Sequence, residues 1–325
     1  MTARPVQRLI GLAASAAAVV ALAACSSESA AEEPSSTAGA GETETVKIGT
    51  LRGQPHFYAP FLYEEYAEEG VEFEVVILDS TPSLSDALVS GAVDFAVTGV
   101  TSTVSSIAQD RDLKIVASAA DGGWGFLGND IDSVADLVGK KVGYIQGSAP
   151  EVALRLILEE EGIDPADLEL VTVAPPELAS ALASGSIDAF FGVEIGVSLA
   201  KAAGSTEIAD PYSTSIGQVN IGLATSGALI EENPELVQKV VDTHVATTEY
   251  MGENVDEWLP DMVAEFGGDQ EVLESALENF TLRTDLSAEY LEQVEALVGE
   301  MAGLGLIDEA PPIEDVVDTG FAPED

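Results

Sequence analysis

The feature that most constrains the fold is a regular alternation of short apolar runs with amphipathic segments between residues 46 and 224. Runs such as Val-Val-Ile-Leu at 75–78 suit strands that are buried on both faces, as in parallel sheets covered by helices. The alternation predicts strands at 46–51, 72–78, 93–98, 114–119, 141–145, 168–173, 189–193 and 221–224. It predicts helices at 57–69, 83–91, 103–109, 133–138, 148–162 and 177–183. An α/β fold follows from this pattern.

One unit of the pattern occurs twice. Residues 87–94, Ala-Leu-Val-Ser-Gly-Ala-Val-Asp, match residues 181–188, Ala-Leu-Ala-Ser-Gly-Ser-Ile-Asp, 94 positions later. Each copy is typical of a helix end, a glycine after the last turn and the start of a strand. Such a connection also occurs in α/β folds without any repeat, but two similar copies favour two lobes of related design.

The lobes are expected to be built from three stretches of chain. Residues 45–127 are predicted to form the first part of lobe 1, residues 128–219 lobe 2, and residues 220–325 a return to lobe 1. The two passages between the lobes are expected at 126–130 and 215–220. The last stretch predicts a helical tail packed on lobe 1, with amphipathic helices at 234–250, 255–266, 270–280 and 288–304.

An export signal precedes the chain's only cysteine, Cys25. Arg4 and Arg8 come before an apolar stretch at 9–24, which is shorter than the roughly 20 residues of a transmembrane helix. The closing run Leu-Ala-Ala-Cys resembles a bacterial lipobox, in which the thiol receives diacylglycerol and becomes the first residue of the mature protein. An ordinary secretory signal with a chance cysteine is the alternative. We expect a signal peptide at 1–24 and a lipid anchor on the extracytoplasmic face of the cell membrane.

The residues after Cys25 predict a flexible acidic linker at 25–44. They are mostly Ser, Ala, Glu, Gly and Thr, with no aromatic and no large aliphatic side chain. Such a stretch buries too little apolar surface to offset the entropy of ordering. The linker would tether a folded body that begins near residue 46.

The charge of the chain excludes one class of partner. It has 58 Asp and Glu against 12 Lys and Arg, a net charge of −46. Nucleic acid is excluded because phosphate binding requires clustered cations. A hydrophobic content of 46%, together with the periodicity, indicates a folded core. The acidic excess resembles that of proteins from saline habitats, so we expect a halophilic protein that is less stable at low salt, where self-repulsion is unscreened.

Several segments carry a resemblance to one family. Residues 139–148, Gly-Lys-Lys-Val-Gly-Tyr-Ile-Gln-Gly-Ser, and the helix after them resemble solute-binding lipoproteins of ABC transporters, of the nitrate, sulfonate and thiamine-pyrimidine-precursor type. Gly-Ile-Asp-Pro at 162–165, the second copy of the repeat, and Asn-Pro-Glu-Leu-Val at 233–237 extend the resemblance over about 46–305. Many relatives carry a Trp and a Pro near 192–196, and this chain has neither there.

The resemblance implies a two-lobed, periplasmic-binding-protein-like (type II) fold, with a mainly parallel sheet in each lobe, that closes on a small-molecule solute by hinge motion. It also implies delivery of the solute to a membrane permease driven by a cytoplasmic ATPase. We expect a monomer without a cofactor or metal.

Ligands of open α/β sheets lie at the carboxyl ends of the strands. This rule predicts ligand-binding residues in both lobes: Arg52, Gln54, His56, Phe57, Ser80, Thr98, Gly99, Thr101, Trp124, Gln146, Gly147, Ser148 and Glu194. Gly147 and Ser148 precede a helix, whose free amides favour an anion or a polar oxygen. Structural roles are the alternatives for Ser148 as a helix cap, Gly99 as a turn residue and Trp124 as a hinge filler. His244, in a tail helix, is expected to serve packing or to lie at the surface.

The charges at this edge favour a neutral, zwitterionic or amino-bearing solute, such as a nitrogen heterocycle. Arg52 is the only Lys or Arg directly after a predicted strand, and Asp79, Asp121 and Glu194 also lie at this edge. The other cations near strands precede them and belong at the opposite edge: Arg111, Lys114, Lys140 and Lys141. If Glu194 faces the solute, Glu194→Gln is expected to weaken binding of a cationic solute and to improve binding of an anionic one.

Enzymes on the same fold form the competing class. Related pyrimidine synthases carry a cysteine-rich motif, which a chain with the single cysteine Cys25 cannot form. HExxH, GxSxG and phosphate-loop patterns are absent from the sequence, and the export signal opposes an intracellular enzyme. We therefore expect a binding protein and no enzyme. A tethered sensor that presents its ligand to a receptor is the alternative to transport.

Overall fold

The computed structural model describes residues 43–323. The predicted signal peptide, the lipidation site Cys25 and nearly all of the predicted linker lie outside the described residues. Within them the strands, in chain order, are β1 (Glu44–Leu51), β2 (Val71–Leu78), β3 (Phe95–Gly99), β4 (Lys114–Gly122), β5 (Trp124–Gly128), β6 (Lys141–Tyr144), β7 (Glu169–Thr172), β8 (Ala189–Val193), β9 (Thr206–Ala209), β10 (Val219–Thr225) and β11 (Phe280–Leu282).

The helices surround these strands. In chain order they are α1 (Tyr63–Tyr66), α2 (Thr81–Ser90), α3 (Val100–Ile107), α4 (Ala149–Glu160), α5 (Leu178–Ala183), α6 (Gly196–Ala202), α7 (Gly227–Glu232), α8 (Pro234–Glu253), α9 (Val255–Phe266), α10 (Gln270–Leu277), α11 (Ala288–Gly303) and α12 (Ile313–Val316). Short 3-10 helices lie at Pro55–Phe57, Ala59–Phe61, Val134–Leu137, Pro165–Asp167 and Pro175–Glu177. In the described part of the chain, none of the helices combines the length and the apolar character that crossing a membrane requires.

The strands form two sheets, one in each lobe. The first sheet has the order β11-β4-β10-β3-β1-β2 and the second the order β7-β6-β8-β5-β9. In the first sheet, β2, β1 and β3 are parallel neighbours. Strand β10 runs antiparallel to β3 and β4, and β11 runs antiparallel to β4. In the second, β7, β6 and β8 are parallel and β5 is antiparallel to both of its neighbours. The predicted two-lobed α/β fold is confirmed, with mixed sheets in place of the mainly parallel ones expected.

The chain passes from the first sheet to the second at Gly122 and Gly123, which join β4 to β5. Both glycines have a φ of 78°, a left-handed conformation that most residues avoid. The predicted passage at 126–130 is therefore wrong, because Trp124–Gly128 is itself a strand of the second sheet. The return runs between the end of β9 at Ala209 and the start of β10 at Val219.

The repeated segment has the same structure in both lobes. Gly91 and Gly185 follow α2 and α5 with φ values of 70° and 72°. The Asp94 carboxylate accepts the Lys47 N–H at 2.8 Å, and the Asp188 carboxylate accepts the Lys141 N–H at the same 2.8 Å. These two side chains link the first repeat to β1 and the second repeat to β6. The lobes are therefore copies of one design.

Several predicted elements differ from the structure, among them the helix expected at 133–138, which is a 3-10 helix at Val134–Leu137. The helix expected at 57–69 is instead two 3-10 turns and the four-residue α1, because Pro55 and Pro60 lack the amides that a continuous helix needs. Helix α2 begins earlier than 83, since the Ser80 hydroxyl caps it by accepting the Ser83 N–H at 3.3 Å. The helix expected at 270–280 ends at Leu277, and the missed strand β11 follows it.

The tail packs mainly on lobe 1, as expected, but it also reaches lobe 2. Helix α8 contacts β4 and β11, and α11 contacts α3 and β10. In addition, α11 contacts α4 and α10 contacts α6, so the tail joins the two lobes. His244 of α8 is fully buried: its Nε2 lies 2.9 Å from the Ser118 carbonyl and its Nδ1 2.7 Å from the Tyr63 hydroxyl. His244 therefore packs in the core, which is one of the two roles expected for it.

Candidate functional site

A cavity of about 380 Å³ lies between the two lobes. The carboxyl ends of β1, β2, β3, β6, β7 and β8 border it, together with the first residues of the antiparallel β10. Its walls are Leu51, Arg52, Gln54, His56, Phe57, Leu78, Asp79, Ser80, Thr81, Pro82, Gly99, Thr101, Ile145, Gln146, Ser148, Ala149, Pro175, Pro176, Val193, Asn220 and Ile221. The volume lies in the range of small-molecule sites.

Nine of the predicted residues line this cavity. They are Arg52, Gln54, His56, Phe57, Ser80, Gly99, Thr101, Gln146 and Ser148. Both lobes contribute, because the strand-end rule applies to each sheet separately. Their role in binding a solute stays a prediction.

Four predicted residues lie elsewhere. Trp124 is fully buried against the Tyr212 ring, with 5.5 Å between the ring centroids. The Thr98 hydroxyl donates to the Thr81 carbonyl at 3.2 Å and is occupied there. Gly147 borders a smaller neighbouring cavity, and Glu194 is buried at the junction of the lobes. Glu194 is not among the residues that line the main cavity, so the condition for Glu194→Gln to report the charge of the solute is not met.

His56 is the polar wall residue with the least satisfied environment. The side chain is 5% exposed, and its Nδ1 is buried without a hydrogen-bond partner among the described residues. Its ring packs against Phe57 and Phe280 at centroid distances of 4.8 and 5.2 Å. Burial lowers the pKa of His56 to about 4, so the imidazole is neutral near pH 7. The ring of His56 therefore contributes an uncharged surface to the cavity wall.

The charged groups of the wall nearly cancel. Among the described residues that line the cavity, Arg52 is the one Lys or Arg and Asp79 the one Asp or Glu, and both are exposed. Apolar side chains and backbone form most of the remaining surface. The wall therefore has no excess charge to attract a simple ion.

The two lobes touch directly beside the cavity. The Thr101 hydroxyl, at the start of α3, donates to the Gly147 carbonyl of lobe 2 at 3.0 Å. On the other side of the same residue, the Gly147 N–H donates to the Glu151 carboxylate at 2.7 Å. Ser148 caps α4 by accepting the Glu151 N–H at 3.4 Å, which confirms the predicted capping role. Gly147 is thus held between α3 of one lobe and α4 of the other.

A second set of contacts joins the lobes at the hinge. Asn279, between α10 and β11, donates to the Glu194 carboxylate at 2.7 Å and to the Trp124 carbonyl at 3.1 Å. The Glu194 side chain is 1% exposed, and burial raises its pKa, while hydrogen bonds from Ser198 and Asn279 act in the opposite direction. Asn220 donates to the Gly122 carbonyl at 2.7 Å. Glu194 therefore helps to connect the two lobes at the hinge, through its hydrogen bond with Asn279.

Asp121 also belongs to the hinge. Its carboxylate accepts from Arg283 at 2.7 Å, and Arg283 is held in turn by Asp285. Burial raises the pKa of Asp121 to about 6, although Arg283 acts to lower it. Within residues 43–323, no group of three or more His, Cys, Asp or Glu side chains is placed to hold a metal ion.

Sequence reasoning missed several wall residues. Pro175 and Pro176 follow β7 at its carboxyl end, so the strand-end rule could have found them. Asn220 and Ile221 lie at the beginning of β10, and they reach the same edge only because β10 is antiparallel. No local sequence signal gives the direction of a strand within its sheet.

Comparison with known proteins places this fold in a family. The profile of the family described as NMT1/THI5 like matches residues 65–258. The chain belongs to the NMT1/THI5-like family. A Bacillus subtilis member named for binding aliphatic sulfonates is 25% identical over 271 residues, covering 79% of this chain and 80% of that protein. The formylaminopyrimidine-binding protein of Halalkalibacterium halodurans is 27% identical over 231 residues, covering 66% of this chain and 69% of that protein.

Solved structures show the same fold. The alkanesulfonate-binding protein SsuA of Xanthomonas axonopodis, bound to MOPS, matches this NMT1/THI5-like protein with a TM-score of 0.75 at 19% identity. The match covers 86% of this chain and 100% of SsuA. The desulfurization enzyme DSZB shares the fold with a TM-score of 0.63 at 16% identity, covering 86% of this chain and 97% of the enzyme. The fold therefore occurs in both binding proteins and an enzyme.

Proposed function

We propose that this NMT1/THI5-like protein is an extracytoplasmic solute-binding lipoprotein. As a monomer, it captures a small organic solute in the interlobe cavity and delivers it to an ABC permease. The observation that carries the proposal is a cavity of about 380 Å³ walled by both lobes, at the carboxyl ends of their strands. The similarity to proteins named for binding sulfonates and formylaminopyrimidine supports it.

The hydroxyl groups of the wall support binding rather than catalysis. Thr101 donates to Gly147 and Ser148 donates to the Ile145 carbonyl at 2.6 Å. Thr81 is paired with Ser102 at 2.8 Å. Nucleophilic catalysis needs a hydroxyl activated by a neighbouring base, and these hydroxyls are engaged in structural bonds instead.

We propose a solute that is neutral, zwitterionic or amino-bearing. The wall carries the opposite charges of Arg52 and Asp79, and His56 is neutral near pH 7. A zwitterion could use both charges, and a neutral heterocycle could pack against the apolar part of the wall. A simple anion gains little from such a balanced wall.

A thermal-shift screen with small metabolites in high salt tests the binding function. A true solute at 100 times its dissociation constant should stabilise the protein by about 2.7 kcal/mol. Isothermal titration of the hits then gives their affinity and charge preference. A broad panel in which no solute raises the unfolding temperature would contradict the proposal.

A matched pair of variants locates the binding. Gln54→Trp places an indole at the cavity wall and should abolish binding of every hit. Gln109→Trp adds the same ring at an exposed position at the end of α3 and should leave binding unchanged. Equal binding by both variants would show that the solute binds outside this cavity.

The lipid anchor is tested separately. Labelled palmitate should enter the full-length protein, and Cys25→Ser should lose the label and leave the membrane fraction. Ser26→Ala, the neighbouring substitution, should keep both. A Cys25→Ser protein that stays membrane-bound with its signal removed would exclude the lipobox.

A further inference from the structure

The N-terminus of α4 faces the cavity. The wall includes the first helical residue Ala149, the N-cap Ser148, and Gln146, two residues before the cap. In most helices the first amides are free, and together with the helix dipole they attract anions. An anion-binding protein would gain from leaving this end open to the solute.

This helix end is already occupied by a carboxylate of the chain itself. The Glu151 side chain is 3% exposed, and one of its oxygens accepts the Gly147 N–H at 2.7 Å. Its other oxygen accepts from Arg155 at 2.7 and 3.0 Å. Pro150 removes one further amide from the first turn. One carboxylate thus satisfies both the Gly147 amide and the Arg155 guanidinium beside the cavity.

A second, smaller cavity shows where the charge is placed. Its volume is about 230 Å³, and it shares Thr101, Gln146 and Ser148 with the main cavity. Glu151 and Arg155 both line it. A solute in the main cavity therefore has the Glu151–Arg155 pair as a neighbour, and the carboxylate cancels the cation that an anion would need.

We propose that Glu151 is a specificity-determining residue that excludes anionic solutes from this protein. The inference rests on the proposed binding function and deepens it. Glu151 occupies the place of an anion at the start of α4 and keeps Arg155 neutralised. Simple sulfonates are therefore rejected, although the fold is shared with a sulfonate-binding protein.

The variant Glu151→Gln tests this role with little change in shape. Removing the negative charge releases Arg155 and should raise the affinity for methanesulfonate by at least about tenfold, because a like charge beside the anion is gone. The affinity for methanesulfonamide, a neutral probe of similar size, should stay unchanged. Glu159→Gln, an exposed change on the same helix, should leave both affinities as in the wild type. Isothermal titration in one buffer measures all four comparisons.

Two results would overturn the inference. One is a folded Glu151→Gln protein that binds methanesulfonate no more tightly than the wild type does. The other is an equal gain for both probes, which would indicate a general loosening of the site. If Glu151→Gln does not fold, Glu151→Ala removes the same negative charge and keeps Arg155, and it is judged by the same gain.

This experiment is independent of the natural solute. A gain of methanesulfonate binding in Glu151→Gln would support the inference even if the metabolite screen finds no solute. Conversely, a solute found in the screen, with no gain in the variant, would overturn the role of Glu151 and leave the binding function in place.

Discussion

The two lobes wall the cavity with residues from equivalent positions, 94 residues apart. Leu51 and Arg52 of lobe 1 correspond to Ile145 and Gln146 of lobe 2 at this offset, and all four line the cavity. The same offset relates further pairs of wall residues: Gln54 and Ser148, Thr81 and Pro175, and Gly99 and Val193. Similar backbones thus bring chemically different side chains to opposite walls.

The two lobes differ directly after β1 of lobe 1 and β6 of lobe 2. In lobe 1 the chain continues as two 3-10 turns, because Pro60 interrupts the segment, whereas in lobe 2 it forms the 12-residue α4. At the same offset, Phe57 is an apolar wall residue and Glu151 a buried carboxylate. One design therefore gives a largely apolar wall on one side and an internally neutralised helix end on the other.

The largest difference between the lobes is expected in acid, which should destabilise lobe 1 more than lobe 2. The chain has two histidines, both in lobe 1, and burial lowers the pKa of His56 and His244 to about 4. The unfolded side chains bind protons near pH 6.5, so their contribution is complete above that pH and is lost as the pH falls toward 4. At pH 5 the loss is about 2 kcal/mol for each histidine, and the raised pKa of Asp121 offsets about 1 kcal/mol.

Hydrogen exchange at pH 7 and pH 5, corrected for the intrinsic rates, measures this difference. Amides of β1 and β3 should lose more protection than those of β6 and β8. The falling net charge acts on both lobes, so lobe 2 serves as the internal control. Equal losses in the two sheets would contradict the assignment of the acid sensitivity to lobe 1.

The joint between the lobes should respond to Asn279→Ala. This variant leaves the buried Glu194 carboxylate without one of its donors, which should lower the free energy of unfolding by about 1.5–3 kcal/mol. Urea unfolding measures the loss. Asn129→Ala, at an exposed position of lobe 2, should have a much smaller effect. Similar losses in both variants would argue against a stabilising joint at Glu194.

The equivalence of the repeats is open to a direct test. Asp94→Ala and Asp188→Ala each remove a carboxylate that accepts the N–H of one strand residue. Each should lower the free energy of unfolding by about 1 kcal/mol. The two losses should agree within about 0.5 kcal/mol in urea unfolding. A loss confined to one variant would break the correspondence between the lobes.

The smallest effect is expected at the direct contact beside the cavity. Thr101→Val removes the hydroxyl that donates to Gly147 and should weaken binding of a solute found in the screen by about 0.5–1 kcal/mol. Thr103→Val is the matched control, since its hydroxyl bonds to Gly99 within lobe 1. Titration calorimetry compares them, and an equal loss in both would show that the interlobe bond does not favour the bound form.

The sequence by itself determined the alternation of strands and helices and the existence of two related lobes. Some elements were predicted to the residue, including β8 at Ala189–Val193 and α9 at Val255–Phe266. Local periodicity and capping residues carry this information, because they depend on neighbours within a few positions. The same signals identified nine residues of the cavity wall through the ends of the strands.

Only the tertiary structure decided which strand-end side chains face the solute. Trp124 and Glu194 lie at the correct edge of the second sheet, yet both turn to the hinge. Glu194 is held there by Asn279, 85 residues away in the chain, and the Trp124 ring packs on Tyr212, 88 residues away. The occupation of the α4 terminus by Glu151 likewise depends on side-chain placement that the capping pattern alone does not specify. Contacts between distant segments select among residues that the local pattern leaves equivalent.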